Sequence, residues 1–362
     1  MGDIAKGALG GAWTLMVGWI LPTALNLAVL LVAVAPSLRG VGVLDQLQPQ
    51  TRVGTGVLLT TGALLLGLVA YACQNLLYRL LEGYLLWPAP LYAAGCKRSR
   101  RTKARLTDRL TVLRLERRRS EQGALSAEAA DQLARLCAQP YLARRVPRDR
   151  RRTAAQRALL REQLARYPIA DDEMAPTRLG NAIRRFEEYG WDRYRLDTQV
   201  LWNELTGCLP DQVRRQVELA RTSVDFFITL LYGHLAVIAL AAIALTSSER
   251  ADRPLLLSTI TVLALLVPAW YRSAVSSTDE WAAAVRAMVN IGRKPLAQAL
   301  GLLLPDTIDA ERKMWTMVSR LSRIPYHERA AALDVYRAGE TGWPDGMTLP
   351  GPATPPGAPG SP

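Results

Sequence analysis

Residues that carry acid–base and redox chemistry are scarce in this sequence. It contains two His among 362 residues, and none of the GxGxxG, Walker, HExxH, GxSxG or protein-kinase motifs occurs in it. Its four cysteines form no CxxC pair and stand far apart, so they indicate neither a zinc site nor a redox motif; they are Cys73, Cys96, Cys137 and Cys208. We therefore predict a protein that is not an enzyme, with no catalytic residues, no metal site and no cofactor.

Charge is nearly absent from four long apolar runs, at residues 8–35, 54–71, 226–245 and 254–271. A membrane-spanning helix needs about 20 apolar residues, and these runs are apolar on all sides instead of along one face. The pattern predicts an all-α integral membrane protein with four transmembrane helices, at about residues 9–35, 54–80, 224–246 and 254–271. The first run also ends in a small-x-small sequence typical of a secretory signal, but it is too long and lacks a basic start, so an uncleaved helix is favoured.

The apolar runs divide the chain into five parts. Residues 1–87 and 222–272 are predicted transmembrane hairpins, 88–221 an Arg-rich cytoplasmic helical domain, 273–341 a cytoplasmic helical segment and 342–362 a disordered Pro/Gly-rich tail. Pro210 followed by Asp211 predicts that the third membrane helix begins well before its apolar part. Thr278, followed by two acidic residues, predicts the N-terminus of a separate helix after the fourth span.

The distribution of Lys and Arg predicts the orientation in the membrane. Residues 88–221 contain 29 Lys and Arg against 17 Asp and Glu, whereas the loop at 36–53 contains two Arg and one Asp. Short loops rich in Lys and Arg stay on the cytoplasmic side. We therefore predict a multi-pass protein of the bacterial inner membrane with both termini in the cytoplasm.

A basic cluster lies within the Arg-rich domain, in a segment that we predict to be a loop: Arg144, Arg145, Arg148, Arg150, Arg151 and Arg152. Each Lys or Arg near an anionic leaflet contributes about 1 kcal/mol to binding, so the lipid bilayer with its anionic headgroups is one expected partner and a cytoplasmic protein is another. Nucleic acid is disfavoured because no zinc-finger, RRM or helix-turn-helix pattern is present. The alternative interpretation is that these positive charges bind no partner and only set the orientation of the protein in the membrane.

Asn26 and His234 are two polar side chains that lie deep within the apolar runs. Ionisable groups are costly in hydrocarbon and are functional candidates there, so these two residues could line a solute path. Because no Asp, Glu or Lys lies at matching depth, we favour a neutral His234 that is hydrogen-bonded to a neighbouring helix. Asp225 lies at the edge of the third run, where we expect it to be solvated.

The stretch from Pro176 to Leu205 has the densest mixture of Trp, Tyr, Arg and carboxylates in the chain. We predict a turn at Pro176, a helix from about Leu179, a break at Gly190 and a second short helix with an apolar stripe that reaches Leu205. Most of the carboxylates have an Arg neighbour, so salt-bridged packing is favoured over a metal site.

Part of this stretch resembles a signature of uncharacterised actinobacterial multi-pass membrane proteins, PTRLGN…E.YG…Y.LD….W. Its residues here are Pro176, Thr177, Arg178, Gly180, Asn181, Glu187, Tyr189, Asp197 and Trp202. A second matching patch runs from Glu280 to Trp315, so the resemblance covers roughly residues 165–323. One departure is Asn203, where relatives often have Pro. The resemblance implies a defined structural role for both patches and no mechanism.

Together these observations predict a non-enzymatic, membrane-anchored scaffold or signalling component. It would bind anionic lipid or a protein partner through its basic cytoplasmic domain, and the two cytoplasmic parts would pack against each other beneath the membrane. The alternative is a transporter or channel subunit, which could be a homo-oligomer, with Asn26 and His234 along its path.

Overall fold

Helices form the regular structure of the residues that the computed structural model describes, which are 11–38, 52–150, 153–247, 251–325 and 328–337, apart from one β-bridge between Leu302 and Arg337. The predicted tail at 342–362 lies outside these residues. In chain order the helices are α1 (Gly11–Leu38), α2 (Arg52–Ala72), α3 (Gln74–Glu82), α4 (Ala89–Gln122), α5 (Ala127–Cys137), α6 (Pro140–Arg150), α7 (Thr153–Ala165), α8 (Arg178–Glu187), α9 (Tyr189–Tyr194), α10 (Trp202–Gly207), α11 (Asp211–Ser247), α12 (Arg253–Ala299) and α13 (Ile308–Leu321), followed by a 3₁₀ segment, Glu328–Tyr336.

Four helices are long and apolar enough to cross a membrane, namely α1, α2, α11 and α12. The prediction of an all-α membrane protein with four such helices is confirmed. Three of them, α1, α11 and α12, share a core of small and branched side chains, among them Val34, Val237, Ala241 and Leu256, all buried. The third of these helices begins at Asp211, as Pro210 predicts, so its first turns extend beyond the apolar run.

A widened, π-helical turn at Met16–Ile20 interrupts α1 just before Pro22. Proline has no N–H to donate to the carbonyl four residues earlier, which leaves the carbonyl oxygen of Gly18 without its usual donor. Thr229 of α11 supplies that donor, since its Oγ1 lies 3.1 Å from the Gly18 oxygen. A Cβ at Gly18 would lie 3.2 Å from Cβ of Asp225, so glycine permits this close approach of α1 to α11.

The helix α12 departs most from the prediction, because it continues unbroken for 47 residues. Thr278 is not a helix N-cap: it is buried in mid-helix, where its Oγ1 donates to the Val275 carbonyl at 2.6 Å. Pro268 and Pro295 lie inside the helix. Burial of the second half of α12 explains the continuity, because tertiary packing outweighs local helix-breaking and capping signals.

One hydrophobic core joins the stretch after Pro176 to the second half of α12 and to α13. Leu196, Leu205, Met288 and Trp315 are all fully buried within it. The expectation that the two extramembrane parts pack against each other is therefore confirmed. Helices α4 to α7 form two smaller clusters of their own, one around Leu160 and one around Leu142.

Two local predictions in the extramembrane part were wrong. The segment predicted as a loop around Arg144 is helical as far as Arg150, because Leu142 and Val146 bury one face of α6. Gly190 does not break a helix but lies inside α9, where a Cβ would meet the Thr198 side chain at 2.5 Å.

The predicted second helix towards Leu205 is instead divided between α9 and α10. Arg195 adopts a left-handed conformation (φ 62°) that ends α9. The Asp197 carboxylate then accepts hydrogen bonds from the backbone N–H groups of Gln199 and Val200, both at 3.2 Å. Such local side-chain bonds compete with helix formation, so the chain turns before α10 begins.

Candidate functional site

Asn181 is the centre of the signature stretch. Its side chain is fully buried, and its Oδ1 accepts from the Ala175 N–H at 2.9 Å. Its Nδ2 donates to Ser99 Oγ at 3.1 Å, to the Ala175 carbonyl at 2.8 Å and to the Thr177 carbonyl. One amide therefore ties the turn before α8 to α4.

The remaining residues of the turn allow three backbone segments to meet. Thr177 caps α8, since its Oγ1 accepts from the Gly180 N–H at 3.0 Å. A Cβ at Gly180 would lie 2.5 Å from the Glu82 carbonyl oxygen, and a Cβ at Gly95 would lie 2.5 Å from Cβ of Pro176. Small residues at these positions let α8 pack on the end of α3 and on α4.

The later signature residues face the second patch. The hydroxyl groups of Tyr189 and Tyr194 both donate to Oδ1 of Asn290 on α12, at 3.1 and 3.0 Å. Asp197 forms an ion pair with Arg323, and its N–H donates to Ser319 Oγ at 3.1 Å.

The second patch in turn supports the first. Trp281 packs on Phe186 with ring centroids 4.7 Å apart. Arg312 donates to the carbonyls of Asp192 and Arg193 at 2.9 and 2.7 Å. The two patches of the resemblance therefore lie in direct contact, which gives the signature residues a structural role. Arg178 lies apart from these contacts, in a groove beside Tyr271.

A cavity of about 1180 Å³ opens between α3, α8, α11, α12 and α13, and Glu187, Asp197 and Trp202 of the signature line it. Its wall is rich in aromatic rings and arginines; those contributed from outside the signature are Tyr78, Arg79, Tyr84, Arg184, Phe186, Trp191, Arg221, Trp281, Arg320 and Arg323. The volume exceeds the range of about 300–1,000 Å³ common for small-ligand sites. We regard this cavity as the candidate functional site.

Burial raises the pKa of three glutamates on the wall. Burial, with repulsion from Glu187, raises the pKa of Glu82 to about 7, against the opposing effect of Arg79. Burial also raises the pKa of Glu187. Burial and the neighbouring Glu173 raise the pKa of Glu188, although Arg184 lies 3.2 Å from it. Glu82 and Glu188 therefore carry less than full negative charge near neutral pH, which leaves the neighbouring arginines less compensated.

Sequence reasoning missed the cavity because its wall comes from distant parts of the chain. Tyr78, Arg221 and Trp281 lie on three different helices and are at least 60 residues apart in the sequence, and their joint role is not visible at any one of those positions. The sequence feature that could have indicated the cavity was the pair of patches covered by the resemblance, because these patches pack against each other and form much of the wall. A metal centre is not indicated: among the described residues, no group of three or more His, Cys, Asp or Glu side chains converges.

No protein-family model, curated protein or solved structure matches this chain.

The two intramembrane polar residues contact each other. His234 Nδ1 lies 2.7 Å from Asn26 Oδ1, and Trp270 Nε1 donates to His234 Nε2 at 3.2 Å. An indole N–H can only donate, so Nε2 carries no proton and the Nδ1–H of a neutral ring donates to Asn26. The favoured interpretation of a neutral His234 bonded to a neighbouring helix fits this geometry, which links α1, α11 and α12.

The same contact depends on the absence of a side chain at Gly233, where a Cβ would lie 2.2 Å from Asn26 Nδ2. That Nδ2 donates to the Pro22 carbonyl at 2.8 Å. The polar atoms of Asn26 and His234 are thus all engaged in hydrogen bonds between or within helices. The arrangement supports a packing role for both residues.

Replacement of His234 by Ala should lower the free energy of unfolding by about 1–2 kcal/mol, because Asn26 Oδ1 and Trp270 Nε1 lose their partner inside the bundle. The measurement is denaturant unfolding of the detergent-solubilised protein. Thr261→Ala is the control, since Thr261 is exposed on α12 and its hydroxyl bonds only the Leu257 carbonyl of its own helix. Equal stability of the two variants would contradict a bridging role.

Asp225 is buried, so the expectation of a solvated carboxylate was wrong. The Tyr78 hydroxyl donates to its Oδ1 at 2.6 Å, and Arg221 Nε lies 3.8 Å from its Oδ2. The reason is that Tyr78 of α3 and the close approach of α1 at Gly18 cover the carboxylate.

The arginines of the basic cluster differ in whether they form ion pairs. Arg144 and Arg145 are exposed and form no ion pair with the described residues, whereas Arg150 pairs with Glu116 of α4 at 2.5 Å. Between them, the buried Asp149 is paired with Arg109 at 2.6 Å. The side chains of Arg148, Arg151 and Arg152 lie outside the described residues.

Proposed function

We propose that the protein is a non-enzymatic scaffold of the bacterial inner membrane, with both termini in the cytoplasm, whose basic helical domain binds the anionic headgroups of the inner leaflet. The observation that carries the proposal is that this domain meets the membrane helices near the end of the last apolar run. Thr102 and Leu106 of α4 and Arg166, which directly follows α7, line one groove with Tyr271 and Arg272, where the last apolar run ends.

The end of α7 is held at this position by a charged contact, because Nη2 of Arg166, the residue that follows the helix, lies 2.5 Å from Asp279 Oδ2 of α12. On α4, Arg101 lies five residues before Leu106, which is about 8 Å along the helix axis. That distance is comparable with the Debye length of about 8–10 Å at physiological salt. Charges on this part of α4 are therefore close enough to an adjacent leaflet to act on it.

The positive charge of α4 is available at this level. Lys97, Arg98 and Arg101 are exposed, and none of them forms an ion pair within the described part of the chain. Arg144 and Arg145 are further exposed positive charges, on α6, and are the candidates for an acidic protein partner. Binding through such a surface is electrostatic, so it weakens as salt increases.

Replacement of Lys97 and Arg101 by Gln should reduce the selectivity of the protein for phosphatidylglycerol over phosphatidylcholine several-fold, since each charge near the leaflet contributes about 1 kcal/mol. The measurement is the fraction of motionally restricted spin-labelled lipid in nanodiscs that contain the full chain. Increasing the salt concentration should reduce the selectivity of the unmodified protein in the same direction.

The double variant Lys294→Gln/Lys313→Gln is the matched control. It also removes two exposed positive charges, but Lys294 lies 23 residues beyond Tyr271, about 35 Å further along α12. Its lipid selectivity should be unchanged. Equal selectivity in both double variants, or no preference for phosphatidylglycerol in the unmodified protein, would refute the proposal.

A further inference from the structure

Two buried side-chain nitrogens have no hydrogen-bond partner in the described part of the chain, and both line the cavity defined above. They are Nε of Arg221 and Nε1 of Trp281. Both atoms carry hydrogen and can only donate. Buried donors are satisfied in the great majority of cases, and each exception calls for an explanation. Here both exceptions point to an acceptor within the same cavity.

The surroundings of Arg221 leave its Nε available. Its Nη2 donates to Gln74 Oε1 at 2.8 Å, but Nε lies 3.8 Å from Asp225 Oδ2, which is beyond hydrogen-bond distance. The guanidinium also lies 5.9 Å from the centre of the Trp281 ring. The two free donors therefore belong to side chains in contact with each other.

We propose that this cavity binds a ligand that bears a phosphate group, with Arg221 and Trp281 donating hydrogen bonds to its oxygens. Arginine suits this role because its fork of N–H groups matches phosphate oxygens. The proposal concerns a defined site and is independent of the basic surface on α4.

The charge of the wall supports an anionic ligand. Two of its arginines, Arg184 and Arg323, are engaged in ion pairs with Glu188 and Asp197. Arg79 of α3 and Arg320 of α13 are exposed and have no ion pair among the described residues. With Arg221, they place three incompletely compensated positive charges around one cavity.

The position and composition of the cavity fit an amphiphilic ligand. Arg221 lies five residues before Phe226, where the apolar run of α11 begins, so it is about 8 Å from that level along the helix, close to the depth of lipid headgroups. Aromatic rings form much of the wall, and beside its Leu85 the chain exposes Leu86 (81%) and Trp87 (37%). The phosphate can come from a lipid headgroup or from a soluble phosphate ester.

The test is native mass spectrometry of the full chain in detergent, with three added ligands. They are phosphatidylglycerol, glycerol 3-phosphate as the soluble phosphate, and diacylglycerol, which has acyl chains but no phosphate. We expect one phosphate-bearing molecule to be retained in preference to diacylglycerol. Retention of phosphatidylglycerol alone identifies the lipid as the source, and comparable retention of glycerol 3-phosphate identifies a soluble ligand.

Arg221→Gln should weaken binding of the retained ligand about tenfold or more, because it removes a charge-assisted hydrogen bond. Trp281→Phe should weaken binding of the ligand several-fold. Because it keeps a ring against Phe186, it provides the test if Arg221→Gln does not fold. Arg214→Gln is the control on the same helix, where Arg214 pairs with Asp211 at 2.7 Å.

Three outcomes would overturn the proposal. They are equal retention of diacylglycerol, retention of neither phosphate compound, and binding that is unchanged by both the Arg221 and the Trp281 substitutions. The double variant Lys97→Gln/Arg101→Gln should retain the single molecule as the unmodified protein does. This result distinguishes the cavity from the basic surface. If the basic surface did not bind lipid, the lipid selectivity would change but the retention of the single molecule would not.

Discussion

Asn181→Ala should lower the free energy of unfolding by about 3–5 kcal/mol. The amide makes four hydrogen bonds in a fully buried position. Its removal leaves the N–H and carbonyl of Ala175, among others, without a partner, and each unsatisfied buried group costs about 1–3 kcal/mol. We therefore expect the turn before α8 to separate from α4 at a lower denaturant concentration than in the unmodified protein.

The measurement is denaturant unfolding of the full chain in detergent, followed by the fluorescence of its tryptophans. Asn203→Ala is the matched control, because Asn203 is an exposed asparagine on α10. Its effect should stay within about 0.5 kcal/mol. If both substitutions cost the same, Asn181 is not the centre of the signature stretch.

Arg293→Met should destabilise the protein by about 3 kcal/mol. Arg293 of α12 is the charged partner of Glu311 on α13, and Glu311 is only 2% exposed. The Trp315 indole, at 3.1 Å from Glu311, is the remaining donor. Removal of one member of a buried ion pair leaves an uncompensated charge in the interior, which typically costs about 3–5 kcal/mol.

The double variant Arg293→Met/Glu311→Leu should recover part of that loss, because it removes the buried charge together with its partner. Arg214→Met is the control, since its pair with Asp211 is exposed on both sides and such pairs contribute about 0–1 kcal/mol. A loss for Arg293→Met no larger than for Arg214→Met would show that Glu311 is solvated in solution.

Local patterns identified helices well but misjudged where several of them end. Ser126 caps α5, with its Oγ accepting from the Ala129 N–H at 3.4 Å. Thr278 has an equally good capping sequence, yet it lies in the middle of α12. The difference is tertiary: the residues around Thr278 pack into the core with α8, and continuing the helix buries more apolar surface than ending it.

The candidate site was only partly accessible from the sequence. The resemblance pointed to the two patches, and the signature residues do lie in contact with the second patch. The role of each residue was not visible in the sequence. Gly180 is required because its backbone lies against the carbonyl of Glu82, and Tyr189 acts by donating a hydrogen bond to Asn290. Both partners are distant in the chain, and no local pattern encodes such contacts.

By itself, the sequence determined the class of the protein: four apolar helices, a long basic helical segment between the second and third of them, and a further helical segment after the fourth. It could do so because the free energy of transfer from water to hydrocarbon depends on the composition of each run, which is a local property. Only the tertiary structure decided that α12 is continuous, that Asn26 and His234 bond each other and that Arg221 and Trp281 share a cavity. Those features depend on which helices pack together, and packing is decided by the whole chain at once.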